Sequence, residues 1–130
     1  MDTQISADNG KHVLIVDDDI ELALTYQALL QLRNYRASTA ANGKEALKLV
    51  MRGGVHAILC DLNMPELSGD LFYIEVGRAR PQLLKRFIFL TAYADNPLYQ
   101  SFLESVKAPV LAKPVSFDRL LEKLKAVLGA

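Results

Sequence analysis

The stretch HVLIVDDD, residues 12–19, joins an apolar run directly to three consecutive aspartates. Residues 12–16 are mostly aliphatic or β-branched, which predicts a strand buried on both faces. Asp17, Asp18 and Asp19 follow at the point where that strand ends. Such closely spaced like charges repel one another, and a buried carboxylate without a partner is costly. The stretch therefore predicts a strand end that requires a positively charged partner.

Short apolar runs alternate with amphipathic segments along the rest of the chain. The predicted strands are HVLIV, YRASTA, HAILC, RFIFLT and APVLA. Helical segments of about ten to fifteen residues separate them. This alternation predicts parallel βαβ units with right-handed crossovers, and hence an α/β sandwich with helices on both faces of a parallel sheet.

The ends of several helices are also marked in the sequence. Asn42 and Glu45 have the spacing of a capping box, and Asn96 before Pro97 is typical of an N-cap with proline in the first turn. Over residues 117–128 the apolar side chains recur every three or four positions and charged ones take the other face. That spacing predicts a last helix that packs one side on the sheet.

Composition limits the classes of function. Lys plus Arg and Asp plus Glu each number 15 among 130 residues, so no overall charge favours nucleic acid or an anionic membrane. The single cysteine, Cys60, lies in an apolar run, where a buried hydrophobic role is expected. No apolar stretch approaches the roughly 20 residues that cross a bilayer. We expect a flexible leader over residues 1–10, one domain over residues 11–130, and a cytoplasmic location.

Polar residues of complementary chemistry stand at four predicted strand ends. The first strand ends at Asp17 and Asp18, the third at Asp61, the fourth at Thr91 and the fifth at Lys113. In an open parallel sheet ligands bind outside the carboxyl ends of the strands, near the point where strand order reverses. Three converging carboxylates suit a hard divalent cation, and Mg²⁺ is typically held by carboxylates, waters and phosphate oxygens. The sequence therefore predicts a magnesium site.

With a cation in place, the neighbouring groups suit phosphoryl transfer. A carboxylate can form an aspartyl phosphate, and an ammonium and a hydroxyl, here Lys113 and Thr91, can neutralise and bind the transferred group. Taken singly, the aspartates could form a solvated turn, Lys113 a surface lysine and Thr91 an ordinary strand residue. The occurrence of these residue types together at four strand ends favours a phosphoryl-transfer site over three unrelated structural roles. Asp19 is better placed to cap the first helix than to reach the metal.

Several motifs together resemble the receiver domain of two-component response regulators, which also occurs in hybrid histidine kinases. The motifs are LIVDDD, AANGKEAL, ILCDLNMPELSG, IFLTAYA and VLAKP. The resemblance implies a doubly wound, flavodoxin-like fold with strand order 2-1-3-4-5. It implies a phosphoacceptor that takes its phosphoryl group from a histidine kinase or a histidine phosphotransfer protein. Its only catalysis would be its own phosphorylation and dephosphorylation.

The resemblance also assigns roles to the predicted site. Asp61 would accept the phosphoryl group, Asp18 would contact Mg²⁺ directly and Asp17 mainly through water. Asp61 and the backbone carbonyl of Asn63 would complete the protein ligands of the metal. Thr91 would bond to the phosphoryl group and move inward on phosphorylation. Lys113 would pair with the phosphoryl group, and the Lys113–Pro114 peptide would be cis.

Two positions bear on how such a domain would signal. Family members often carry an aromatic residue three positions before the lysine, but this chain has Val110 there. The readout would then proceed through backbone and helix shifts, or through another aromatic residue such as Tyr93 or Tyr99, and we favour the first. Our hypothesis for Tyr93, two residues beyond Thr91, is that its ring shields the acyl phosphate from water.

Two other functions remain as alternatives. A haloacid-dehalogenase-like phosphatase also uses an aspartate nucleophile and Mg²⁺, and Asp17 and Asp19 form a D-x-D pair. That reading leaves Asp61 without a role and lacks a second acidic pair after Lys113. The other alternative is a receiver that acts by protein contact without phosphorylation, for which the main support is Val110. The sequence predicts no direct contact with nucleic acid or membrane and leaves open whether the protein forms a homodimer.

Overall fold

A computed structural model of the protein describes residues 10–64, 66–92, 97–106 and 108–129. Within these ranges the strands and helices alternate as the sequence predicts. Almost all of the expected leader, residues 1–10, lies outside the described residues. The hypothesis for Tyr93 and the predicted N-cap at Asn96 lie outside them as well.

Five strands and five α-helices alternate in the described part of the chain. The strands are β1 His12–Val16, β2 Arg36–Ala40, β3 Ala57–Asp61, β4 Phe87–Thr91 and β5 Val110–Ala112. The α-helices are α1 Ile20–Gln31, α2 Gly43–Arg52, α3 Gly69–Ala79, α4 Pro97–Val106 and α5 Phe117–Leu128. A 3₁₀ helix, Pro81–Arg86, leads into β4 and was not expected from the sequence.

The strands form one parallel sheet in the order β2-β1-β3-β4-β5. This confirms the predicted doubly wound fold. The order reverses between β1 and β3, so the connections that leave these two neighbouring strands run to opposite sides. The crevice beside the ends of β1 and β3 is therefore the place where the fold offers a binding site.

The sheet separates two apolar layers. Alternate residues of β1 point to opposite faces: Val13 and Ile15 join a cluster with α1 and α5, while Leu14 and Val16 join one with α2 and α3. Strands β3 and β4 are buried along their whole length. The buried side chains of α5 are Leu120, Leu121, Leu124 and Val127. The predicted amphipathic face of the last helix is thus confirmed.

Side-chain caps fix where the first two helices begin. The carboxylate of Asp19 accepts a hydrogen bond from the Leu22 N–H at 3.1 Å, which confirms Asp19 as the cap of α1. Asn42 accepts from the Glu45 N–H at 2.8 Å, as the capping box predicts. The Glu45 carboxylate reaches back to the N–H of Ala41 at 3.3 Å, one residue before the cap. Caps of this kind contribute about 1 kcal/mol each.

None of the described helices is long and apolar enough to cross a bilayer.

Gly69, the first residue of α3, lets that helix pack against the end of β3. A Cβ atom at Gly69 would lie 2.7 Å from the Asp61 carbonyl oxygen and 2.8 Å from the Leu62 Cα. The Gly69 N–H donates to the Leu62 carbonyl at 3.0 Å. Because both close neighbours are backbone atoms, a larger residue must displace the chain that carries Asp61.

We predict that Gly69→Ala lowers the free energy of unfolding by about 1–3 kcal/mol, the usual cost of overpacking. Gly77→Ala in the same helix is the matched control. Its Cβ would meet a flexible side-chain carbon of Leu84 at 3.0 Å, and alanine favours the helix, so we expect little change. Urea unfolding of both variants checks this. Equal effects of the two substitutions would contradict the proposed contact with β3.

Candidate functional site

Four strand ends bring their polar residues to one edge of the sheet, as predicted. Asp17 follows β1, Asp61 and Thr91 are the last residues of β3 and β4, and Lys113 follows β5. Asp17, Asp61 and Thr91 are buried, with exposed fractions of 2%, 6% and 0%. Asp61 pairs in register with Leu90, so Thr91 lies one position further along the neighbouring strand.

Three carboxylates form a cluster that could hold a metal ion. Oxygen atoms of Asp17, Asp18 and Asp61 all lie within 4.8 Å of one another. Asp17 and Asp61 are buried and Asp18 is exposed, so the cluster opens to solvent on one side. An all-oxygen set of this kind, open to waters, has the chemistry that Mg²⁺ prefers. The residues present therefore fit a magnesium ion.

The loop after β3 bends around the Asp61 carboxylate. The Asn63 N–H donates to Asp61 Oδ1 at 3.3 Å, and the Asn63 side chain is exposed. This contact places the Asn63 backbone beside the acidic cluster. A role for its carbonyl as a metal ligand stays a prediction.

Lys113 neutralises two of the buried carboxylates directly. Its Nζ lies 2.9 Å from Asp17 Oδ2 and 3.5 Å from Asp61 Oδ2. The backbone N–H of Lys113 donates to the Thr91 carbonyl at 2.9 Å, which holds the residue beside the end of β4. The sequence interpretation gave the neutralising role to the metal and kept Lys113 for the phosphoryl group. The structure shows that the ammonium shares this role, and that the Lys113–Pro114 peptide is cis as predicted.

Both oxygens of Asp17 are engaged within the protein. Oδ2 accepts from Lys113, and Oδ1 accepts from the Asp19 N–H at 2.9 Å. Because each of its oxygens accepts a hydrogen bond, the Asp17 carboxylate is oriented before any ligand binds. The prediction that Asp17 contacts the metal mainly through water, and Asp18 directly, stays a prediction.

The site shifts the pKa values of its two central groups. Burial, aided by the charges of Asp17 and Asp18, raises the pKa of Asp61 to about 6, although Lys113 and the Asn63 N–H oppose the shift. Burial alone would lower the pKa of Lys113, but its hydrogen bond to Asp17 and the charge of Asp61 raise it. Above pH 6 the site therefore holds an ionised Asp61 beside a positive Lys113.

Two further residues define the surroundings of the site. Tyr26, on α1, is buried, and its electrostatic partners are Lys113, Asp17 and Asp19, so it lies close to the site. The sequence analysis missed it because an aromatic residue on the buried face of a helix is usual in a core.

Val110 is half-buried, lies opposite Phe89 in the sheet and packs on the core cluster beneath α2 and α3.

Comparison with known proteins identifies the family. The response regulator receiver domain, as a family model, matches residues 13–125. The chain belongs to this family. A probable chemotaxis protein CheY of Rhizobium etli is 33% identical over 120 residues, which is 91% of this chain and 92% of that protein. The sensor kinase CckA of Brucella abortus is 30% identical, over 89% of this chain and only 12% of the kinase.

A solved receiver structure supports the same assignment. The response regulator TrrA of Thermotoga maritima, in complex with Mg²⁺ and BeF, has a TM-score of 0.77 and 34% identity, covering 90% of this chain and 98% of that one. This receiver domain is thus similar both to single-domain regulators and to a short part of a much longer kinase.

We predict that Asp61→Asn stabilises this receiver domain near neutral pH when no divalent cation is present. Folding raises the Asp61 pKa from 3.8 to about 6, so ionisation costs stability above pH 6, and the cost disappears as pH falls below 3.8. A shift of this size corresponds to at most about 3 kcal/mol. Urea unfolding with a chelator, at about pH 7.5 and about pH 5, measures the difference.

The exposed Asp18 offers the control for this prediction. Asp18→Asn removes the same charge from a solvated position and is expected to change the free energy of unfolding less. Added Mg²⁺ should then stabilise the wild type more than either variant, because the ion binds only the folded cluster. An Asp61→Asn protein less stable than the wild type at neutral pH would refute the prediction.

Proposed function

We propose that this receiver domain accepts a phosphoryl group on Asp61 from a phosphohistidine of a partner protein, with Mg²⁺ bound at Asp17, Asp18 and Asp61. The observation that carries the proposal is the set of contacts around one buried carboxylate. Asp61 lies in the acidic cluster and 3.5 Å from the Lys113 ammonium. A nucleophile, ligands for a cation and a fixed positive charge are the parts that phosphoryl transfer requires.

In the transfer step, one oxygen of ionised Asp61 attacks the phosphorus atom of the phosphohistidine. The P–O bond of an acyl phosphate forms while the P–N bond breaks, and the imidazole leaves with the electron pair and takes a proton from solvent. The raised Asp61 pKa of about 6 leaves the carboxylate ionised at neutral pH yet more basic than an ordinary aspartate. Bound Mg²⁺ would neutralise charge on the phosphoryl oxygens.

Lys113 and Thr91 are proposed to convert the new phosphate into a signal. Lys113 pairs with Asp17 and Asp61, and a phosphoryl group on Asp61 would compete for its ammonium. The Lys113 N–H donates to the Thr91 carbonyl, so a movement at the end of β4 would also displace the end of β5. Thr91 would turn its hydroxyl toward the phosphate. Because Val110 fills the place of the usual aromatic residue, we propose that the readout proceeds through these backbone shifts.

The rest of the assignment follows from family membership and the strand-end residues. The domain is a signalling module, and we propose that its catalysis is limited to its own phosphorylation and dephosphorylation. We keep residues 11–130 as the receiver domain, residues 1–10 as a leader, and a cytoplasmic location as proposals. The Asn63 carbonyl is proposed as a further metal ligand.

We predict that acetyl phosphate with Mg²⁺ gives a single phosphoryl adduct, measured by intact mass, that hydroxylamine removes. Asp61→Asn should abolish the adduct, because the nucleophile is lost. Asp70→Asn is the matched control, since it removes a carboxylate in the first turn of α3 that lies outside the cluster. We expect Lys113→Met to keep some labelling but to lose the conformational response in amide NMR spectra.

Other labelling results would favour the two alternatives. No adduct under any donor, with a folded protein that binds Mg²⁺, would favour a receiver that acts by contact alone. An adduct on Asp17 rather than Asp61 would favour phosphatase-like chemistry. Either result would overturn the proposed acceptor.

The first turns of α1 offer a docking surface for the phosphohistidine partner. Ile20 and Leu24 are exposed by 61% and 49%, and Ile20 follows the aspartate cluster directly. Exposed apolar side chains beside a reactive group are typical of a protein interaction site. We propose that a helical histidine-bearing protein packs there and presents its phosphohistidine to Asp61.

We predict that Ile20→Ser with Leu24→Ser slows transfer from a phosphorylated histidine phosphotransfer protein by about tenfold, the loss of roughly one apolar contact of 1.4 kcal/mol. Acetyl phosphate labelling should stay unchanged, because Asp61 is untouched. Leu32→Ser is the control: Leu32 is 76% exposed but follows the far end of α1. Equal slowing by Leu32→Ser, or no slowing by the double variant, would rule out this docking surface.

A further inference from the structure

A cavity lies at the amino-terminal ends of the strands, opposite the carboxyl-terminal ends where Asp61 lies. It has a volume of about 460 Å³ and is bounded by the end of α2, the start of β3 and the 3₁₀ helix. We call it the basal cavity. Its lining residues are Val50, Gly53, Gly54, Val55, His56, Arg80, Gln82, Leu83, Lys85 and Arg86. The assigned receiver function leaves this cavity without a role.

The basal cavity collects positive charge. Arg80, Lys85 and Arg86 line it, and in the described part of the chain no carboxylate is among the lining residues. The pKa of His56 is lowered by burial and then by the charges of Lys11, Arg36 and Arg86, so further cations stand at the same edge. Because the whole chain has no net charge, composition does not account for this grouping. Such a grouping favours an anionic ligand.

One of these cations is held in place by the protein. Arg80 Nη2 donates to the Met51 carbonyl and Nη1 to the Ala79 carbonyl, both at 3.1 Å. These bonds tie the end of α3 to the end of α2 across the wall of the cavity. A guanidinium positioned beforehand loses less entropy when it binds a phosphate.

Two glycines in the wall of the basal cavity leave room for a ligand. Gly53 and Gly54 both have φ of 86°, a conformation that favours glycine, and an added Cβ on either would meet no atom within 4 Å. The space beside this backbone is therefore open, and both glycines line the cavity. Val50, Val55 and Leu83 supply a buried apolar floor.

We propose that the basal cavity binds a nucleoside monophosphate. Its phosphate would pair with Arg80, Lys85 and Arg86, and its sugar and base would lie over the apolar floor with Gln82 as a hydrogen-bond partner. Ligand sites of about 300–1,000 Å³ commonly combine an apolar lining with a few polar groups, and the cavity has this composition and size. The site is independent of phosphorylation on Asp61.

The test is a titration with AMP, GMP, CMP and UMP, followed by amide NMR and by calorimetry. A chelator is present so that the acidic cluster cannot bind a metal–nucleotide complex. We expect at least one nucleotide to give saturable shifts at Gly53, Gly54 and His56. The matching nucleoside and inorganic phosphate should each bind at least about tenfold more weakly, because each lacks half of the contacts.

Two charge-matched variants separate specific binding from general attraction. Gln82→Glu with Lys85→Glu places negative charge on two exposed lining residues and should weaken binding by about tenfold or more. Gln100→Glu with Lys125→Glu makes the same change in net charge on exposed residues outside the cavity and should leave binding intact. Acetyl phosphate labelling of Asp61 should be unaffected in both.

Three outcomes would overturn the proposal. The first is that none of the four nucleotides binds saturably at millimolar concentration. The second is that the shifts appear at Thr91 and Lys113 instead of the basal cavity. The third is that both double variants weaken binding equally, which would show attraction to net charge alone.

Discussion

The contact of the Lys113 ammonium with Asp17 and Asp61 is the interaction on which the rest of the site depends. Two buried carboxylates at the ends of adjacent strands repel each other, and burial adds to the cost of their charges. Lys113 offsets both costs, at 2.9 Å from Asp17 and 3.5 Å from Asp61. The balance is incomplete, since the Asp61 pKa still stands at about 6. This remaining excess of negative charge favours the binding of a cation beside the carboxylates.

The parallel sheet supplies the geometry for this contact. Because all strands run the same way, their carboxyl ends share one edge, and the reversal of order between β1 and β3 opens a crevice there. Gly69 brings α3 against the carbonyl of Asp61, and Asp19 starts α1 beside Asp17. Asp61 is thus held by two helices and the sheet, while Asp18 and Asn63 are exposed.

Charge is separated along the strands even though the chain carries none overall. The carboxylate cluster occupies one edge of the sheet, and the cations of the basal cavity occupy the other. Strand β3 connects them, with His56 just before its first residue and Asp61 as its last. Each edge therefore attracts ligands of opposite sign, a cation at the acidic end and an anion at the basal end.

Much of this protein could be predicted from the sequence alone. The alternating runs predicted the parallel fold, because strand and helix periods differ, and the residues at four strand ends predicted that Asp61, Thr91 and Lys113 lie together. Asp19 and Asn42 marked their helices because capping is a local interaction. The family motifs indicated the strand order and the cis peptide before Pro114, both of which the structure bears out.

Only the tertiary structure decided which groups meet across long stretches of chain. The bond between Lys113 and Asp17 spans 96 positions, so no local pattern could assign it. The contact of Gly69 with the end of β3 and the burial of Tyr26 depend on how helices settle on the sheet. The basal cavity depends on the 3₁₀ helix, which the sequence did not reveal. Sequence patterns report local periods and residue types, whereas distances and pKa values arise only when the packed chain excludes water.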